Sequence, residues 1–305
     1  MLAATPCRAE VPFLLGDERF QVRVVPGDDS LTAKFGPRFD TSARIDSVQS
    51  DGEEFLAREG LVDEFNQRWL PPPGYDEAPS PGNLFLKIGV GLLRRTRITP
   101  YRFWDPYPLI TSAKTELVSR DDRSVVFEQV MPPSGTGGYR YRKSYVVSPE
   151  KKRVEIAYEL ANLGSQEIEI DQYNHNWLVL SPASPSTPWT IRTPLIPGPR
   201  SLLHCQVSPG ELMFHAVPQE VIYFTFAQNN SPSTSSTFVS DGRKRISITC
   251  HFSASRFSVF TQGNLLAPEI FAHFRIPPGG TANWRRVYVF QTAPALSQGV
   301  PHWCL

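Results

Sequence analysis

The sequence predicts an all-β protein, a large antiparallel β-sandwich forming a single domain over residues 1–305. Three observations predict it. Short segments alternate polar and apolar residues with period two and are rich in β-branched and aromatic side chains, the pattern of strands with one buried face. The 29 prolines and 20 glycines fall between these segments as punctuation, with no repeat period. Apolar residues make up 40% of the chain, enough for a large core, and all-β domains often reach this length as a single unit.

The elements follow in order. "RFQVRVV" (Arg19 to Val25) is the first clear strand. "GEEFLAREGLVDEFN" (Gly52 to Asn66) is the one stretch read as a short helix. The proline-dense Pro71 to Gly82 lacks too many backbone donors for a central strand and is expected as an extended surface loop. "SVVFEQVM" (Ser124 to Met131), "YRYRKSYVV" (Tyr139 to Val147) and "RVEIAYEL" (Arg153 to Leu160) alternate again. "EIEIDQYNHNWLVL", ending at Leu180, follows, and then "EVIYFTFAQ" (Glu220 to Gln228). "SPSTSSTFVS" (Ser231 to Ser240) reads as a polar loop. "RISITCHF", "RFSVFTQ", "EIFAHFRI" and "WRRVYVFQ" (from Arg245 to Gln291) complete the set.

Composition excludes several classes. The net charge is +1, so no nucleic-acid surface is expected. No run of about 20 apolar residues exists to span a membrane, and the N-terminus lacks the apolar core of a secretion signal. The four cysteines (Cys7, Cys205, Cys250 and Cys304) form no C-x-x-C pair. These features predict a cytoplasmic protein with reduced thiols.

The residues that could carry chemistry are few. Asn174, His175 and Asn176 place three polar groups in the middle of a strand that continues through Trp177 to Leu180. Aromatic residues cluster in "PYRFWDPYPL", including Tyr101, Phe103, Trp104 and Tyr107. Such faces stack on sugar rings and on flat apolar metabolites alike. Of the other histidines, His204, His215, His251 and His273 sit in no motif.

At Asn174-His175-x-Trp177-x-x-Leu180 the chain resembles the aldose 1-epimerases (galactose mutarotases), which carry N-H-x-[aromatic]-x-x-L at the end of such a strand. Two further segments agree. "FGPRFDTSARI" (Phe35 to Ile45) is similar to the family's early G-R-[aromatic]-x-N-R-I segment, with Arg44 at its second arginine, Ala43 in place of asparagine and a longer spacing. "TQGN" (Thr261 to Asn264) stands where the family has a turn before its catalytic glutamate, and Glu269 is the matching carboxylate. The family's L-H-G-G segment, with a second histidine, has no counterpart.

The resemblance implies a galactose-mutarotase-like sandwich and an isomerase acting on a small sugar, with His175 as acid and Glu269 as base. Arg44, Asn174, Trp177 and Trp104 would shape the substrate pocket. Opening a hemiacetal needs one proton removed and one delivered, which such a pair supplies without metal or organic cofactor. His175 and Glu269 are expected to face one cleft, a substrate's width apart. The same pair would also serve a lyase or cyclase on a non-sugar or modified-sugar metabolite. A non-catalytic carbohydrate-binding protein is the third reading.

Overall fold

The computed structural model describes residues 11–27, 29–67, 70–76, 80, 82–180, 189–202 and 205–292. They form a nine-stranded sheet, an eleven-stranded sheet and a three-stranded sheet, all antiparallel. This is the large antiparallel β-sandwich that the sequence predicts. No helix among the described residues is long and apolar enough to cross a membrane.

The nine-stranded sheet carries the site. Its order runs Phe13–Gly16, Phe20–Val25, Asp40–Ser50, Leu56–Phe65, Ile168–Val179, Leu265–Ile276, Ala254–Gln262 and Ile222–Ala227, with the two-residue Glu53–Glu54 beside Asp40–Ser50. Ile168–Val179 is called the histidine strand below, and Leu265–Ile276 the glutamate strand. The eleven-stranded sheet faces it. Arg153–Asn162, Gly137–Ser148, Lys244–His251 and Thr281–Thr292 are its central members. Every alternating segment read as a strand is one.

Three expectations are corrected. Gly52 to Asn66 is not helical but forms Glu53–Glu54 and Leu56–Phe65. The latter is buried on both faces along Leu61–Phe65, which blurs its period. Gly60 adopts φ +73°, where a Cβ would stand 2.0 Å from the carbonyl oxygen of Ile45, so the strand needs glycine there. The polar stretch at Ser231 to Ser240 ends in a strand, Ser235–Ser240. The proline-dense segment is not wholly superficial. Tyr75 is buried with Phe85, Leu93, Tyr101 and Tyr107 in an aromatic cluster separate from the main core.

The main core lies between the two large sheets and takes residues from both, among them Phe20, Ile170, Ile156, Trp189 and Tyr288. Each such side chain contributes about 1.5–3 kcal/mol on burial. Polar residues also cross this layer. Lys143 donates to Asp40 at 2.9 Å and Asp63 at 3.3 Å, both carboxylates being buried. Cys205 and Cys250 are free thiols. Cys7, Cys304 and His204 lie outside the described residues.

Candidate active site

The histidine strand pairs with the glutamate strand in a single register. Gln172 lies opposite Ala272 and Leu178 opposite Leu266. That register sets His175 directly across from Glu269. Between these pairs the strands meet at Pro268, which has no N–H to donate. Asn176 fills the gap, its Nδ2 donating to the Pro268 carbonyl at 2.6 Å.

Alternation then sorts the strand into two faces. Gln172, Asn174 and Asn176 point inward, toward the eleven-stranded sheet. Asn174 bonds Tyr158, Asn176 accepts from the Tyr288 hydroxyl, and Gln172 accepts from Arg286 and donates to Asp63. Asp171, Tyr173, His175 and Trp177 lie on the opposite, outer face.

On that outer face the register builds rows across the sheet. Val62, His175, Glu269, Ser258 and Thr225 form one row. Glu64, Tyr173, Phe271 and Arg256 form the next. Phe260 and Tyr223 stand beside Trp177 in a third.

The two candidate acid–base groups touch. His175 Nε2 lies 3.3 Å from Glu269 Oε1, and both side chains are almost wholly buried. Aromatic rings enclose the imidazole. Trp177 stacks on it at 4.1 Å, while Phe260 and Phe39 meet it edge-on at 5.5 and 5.9 Å. The short helix Asp29–Phe35 and the turn Gly36–Arg38 bring Phe35 over Trp177 and Phe39 over His175. The expectation of a shared face is met. The expectation of a substrate-wide separation is not, because strand pairing puts the groups directly opposite each other.

Arg38, from that turn, is held beside the pair. Its Nε donates to Glu64 at 2.9 Å, its Nη2 to the Tyr173 hydroxyl at 3.3 Å, and its guanidinium stacks on Phe39 and Phe103. Tyr173 and Gln67 also donate to Glu64. The buried Lys87 donates to Tyr101 at 2.7 Å, and burial lowers its ammonium to about 8.

Burial decides the charge state of the central pair. Desolvation lifts the Glu269 carboxyl to about 8, outweighing the opposing pull of Arg38, Arg256 and Tyr223. Desolvation and then the Arg38 cation push the His175 imidazole well below its usual 6.5. Both shifts favour the uncharged forms, a neutral imidazole against a protonated carboxyl, as expected where ionisation would leave a charge in an apolar enclosure.

Among the described residues, a small set of buried side-chain polar atoms has no hydrogen-bond partner within the protein. Six lie on this outer face: Glu64 Oε1, His175 Nδ1, Trp177 Nε1, Glu269 Oε2, and Nε and Nη2 of Arg256. Each such group costs about 1–3 kcal/mol, so their concentration in one place points to a ligand-binding site.

Asn174 faces the interlayer core and does not meet His175. Arg44 donates to the carbonyls of Arg58 and Glu59 at 3.2 and 2.9 Å. A bulge between Asp40 and Ile45, with Ala43 at φ +46°, alters the register just before it. Trp104 is 54% exposed and packs edge-on against Phe103, which stacks on Arg38. The sequence reading missed Arg38, Glu64, Tyr173, Phe260 and Arg256. Arg38-Phe39 stood in the quoted "FGPRF", after a Gly-Pro turn signal; the others carried no local mark.

No family model and no curated protein matches the sequence. The fold has solved relatives. It is similar to a galactose mutarotase related enzyme from Lactobacillus acidophilus, with a TM-score of 0.58 and 10% identity, over 92% of this chain and 97% of that one. A putative aldose 1-epimerase from Escherichia coli K12 gives a TM-score of 0.57 and 12% identity, over 93% and 99%. An aldose epimerase homologue from C. elegans gives 0.55 and 13%, over 93% and 99%. The chain therefore has the galactose-mutarotase-like fold over nearly its whole length, with a sequence far diverged from these relatives.

Proposed function

We propose that the protein is a carbohydrate isomerase of the aldose 1-epimerase kind, opening and reclosing a cyclic sugar hemiacetal. The observation that carries this reading is the buried contact between His175 and Glu269, each with one polar atom left without a partner. The similarity of fold to mutarotase-like proteins supports it by analogy alone.

The charge states exchange the roles implied by the resemblance. Glu269 enters as the acid and delivers its proton from Oε2 to the ring oxygen. His175 enters as the base and takes the anomeric hydroxyl proton at Nδ1. The ring C–O bond breaks as the carbonyl forms. His175 is now imidazolium and Glu269 carboxylate, in direct contact. The Nε2 proton crosses to Oε1, and both groups are neutral again. Attack of the hydroxyl on the other carbonyl face closes the ring as the opposite anomer. No net charge accumulates, which suits a site that stabilises ions poorly. Trp177, Phe39 and Phe260 supply the apolar walls of the enclosure in which the ring would be held.

Freshly dissolved α-D-glucose or α-D-galactose, followed by polarimetry or NMR, tests this. The wild type should hasten the approach to anomeric equilibrium. Glu269→Gln and His175→Ala should each lower the rate about 10²–10⁴-fold, the usual contribution of a placed proton-transfer group. An unaltered rate in both variants would remove the pair from the mechanism. The aromatic enclosure also favours a second reading, a lyase or cyclase on a flatter oxygenated metabolite. In that case these sugars stay unconverted and the same two variants abolish turnover of the metabolite.

A further inference from the structure

The outer face holds two guanidinium groups near the pair, and they differ in commitment. Arg38 is engaged by Glu64 and Tyr173 and sandwiched between Phe39 and Phe103. Arg256 is not so engaged. Its guanidinium lies over the Phe271 ring at 3.8 Å. The carboxylate paired with it, Asp171, comes no nearer than 3.7 Å, beyond hydrogen-bond reach. The other Asp171 oxygen is held by His273 Nδ1 at 2.9 Å.

The two Arg256 atoms without a partner are Nε and Nη2, and both are buried. Their N–H bonds run parallel along one edge of the guanidinium. That edge is the fork that receives two oxygens of a carboxylate or phosphate side-on. Stacking on Phe271 fixes the plane of the fork. Arg256 lies one row from Glu269, opposite Phe271 where Ser258 is opposite Glu269, and its charge reaches both Glu269 and Tyr223. The indole N–H of Trp177, two residues along the strand from His175, is also without a partner. An exposed surface arginine would keep water on these donors, whereas these are withdrawn from solvent.

We infer that the substrate of this site carries an oxyanion, a carboxylate or a phosphate ester, and that the Nε–Nη2 edge of Arg256 receives it. This deepens the isomerase reading and rests on it for the identity of the reacting centre. The anion completes the bidentate pair that Asp171 does not make, and it anchors the sugar about one strand row from the proton-transfer groups. A neutral hexose would leave the fork unfilled.

The test compares D-glucose, D-glucuronate and D-glucose 6-phosphate as substrates for wild type, Arg256→Lys and Arg256→Gln, with unfolding midpoints measured in parallel. The wild type should show kcat/KM for glucuronate or for glucose 6-phosphate about ten- to hundredfold above that for glucose, the range for a charged hydrogen-bonded contact. Which one exceeds glucose identifies the anion as carboxylate or phosphate. Arg256→Gln should reduce that preference to near unity. Arg256→Lys keeps the charge but not the fork, and should retain only a minor part. A wild type that prefers glucose, or a preference unchanged in Arg256→Gln, overturns the inference while leaving the isomerase reading in place. Where no sugar is turned over, the isomerase reading fails, and binding of the same three compounds, read by NMR titration, decides the anion site separately. Selective, Arg256-dependent binding of an anionic sugar supports it, and equal or no binding overturns it. Asp171→Asn provides the structural control. If it removes the anion preference as fully as Arg256→Gln, Arg256 serves only as the partner of Asp171 and the inference falls.

Discussion

Both faces of the histidine strand bury polar groups at its centre, yet they are built on opposite principles. On the inner face each amide is satisfied: Gln172 by Arg286 and Asp63, Asn174 by Tyr158, Asn176 by Tyr288 and the Pro268 carbonyl. On the outer face His175, Trp177 and, across the ladder, Glu269 each keep one buried polar atom without a partner. Burial alone therefore does not mark a functional residue. Buried polarity that is fully paired holds two sheets in one alignment. Buried polarity left unpaired costs stability and persists where a ligand is to be met.

The largest expected effect that could break this contrast is on the inner face. Gln172→Leu would take one hydrogen bond from each of two buried charged groups, Arg286 and Asp63, which keep the Ile270 carbonyl and Lys143, and should lower the unfolding free energy by about 3–5 kcal/mol, read by denaturant titration. A loss under 1 kcal/mol would mean that the inner network contributes little. Next comes Asn176→Leu, which removes bonds to a neutral hydroxyl and a carbonyl and should cost about 1–3 kcal/mol.

A pH series sharpens the outer-face half of the comparison. The Glu269 carboxyl is raised from 4.5 to about 8 in the folded state. Between these values the folded protein holds a proton that the unfolded chain has released. Its contribution to stability is whole below 4.5 and is lost as pH rises through about 8. The His175 imidazole is displaced the other way, so its contribution is present above 6.5 and is lost as pH falls. From pH 6.5 to 8, of these two groups only Glu269 acts, and its contribution should decline by about 1–2 kcal/mol, opposed only near the upper end by Lys87, which is lowered to about 8. Glu269→Gln should flatten that decline. The same slope in wild type and variant would place the titration elsewhere.

Much of this architecture was legible in the sequence, and the reasons differ by element. The strands were visible because one face of each is buried and the other is not, which imposes period two. Leu56–Phe65 was not, because it is buried on both faces along Leu61–Phe65 and its spacing imitates a helix. His175, Trp177 and Glu269 stood out through motif resemblance, and the fold brings them into one enclosure. Asn174 was grouped with them by adjacency, although alternation along a strand sends neighbours to opposite faces. Arg44 was taken from the motif resemblance, and the bulge around Ala43 just before it is not written in residue types. The partnership of Glu64 with Arg38, and the free edge of Arg256, arise from pairing across distant strands, which a single sequence does not display.

The contrast between the faces is tested most directly by applying one operation to both. His175→Phe with Glu269→Leu replaces the outer pair by apolar side chains, and Asn174→Leu with Asn176→Leu does so on the inner face. Equilibrium unfolding of the two double variants against wild type is the measurement. The outer replacement should leave stability unchanged or raise it, by up to about 4 kcal/mol as seen when buried polar pairs give way to apolar packing. The inner replacement should lower it by about 2–5 kcal/mol, because Tyr158, Tyr288 and the Pro268 carbonyl lose their partners. A loss at the outer face as large as at the inner one would contradict the account, and would make the His175–Glu269 pair part of the scaffold.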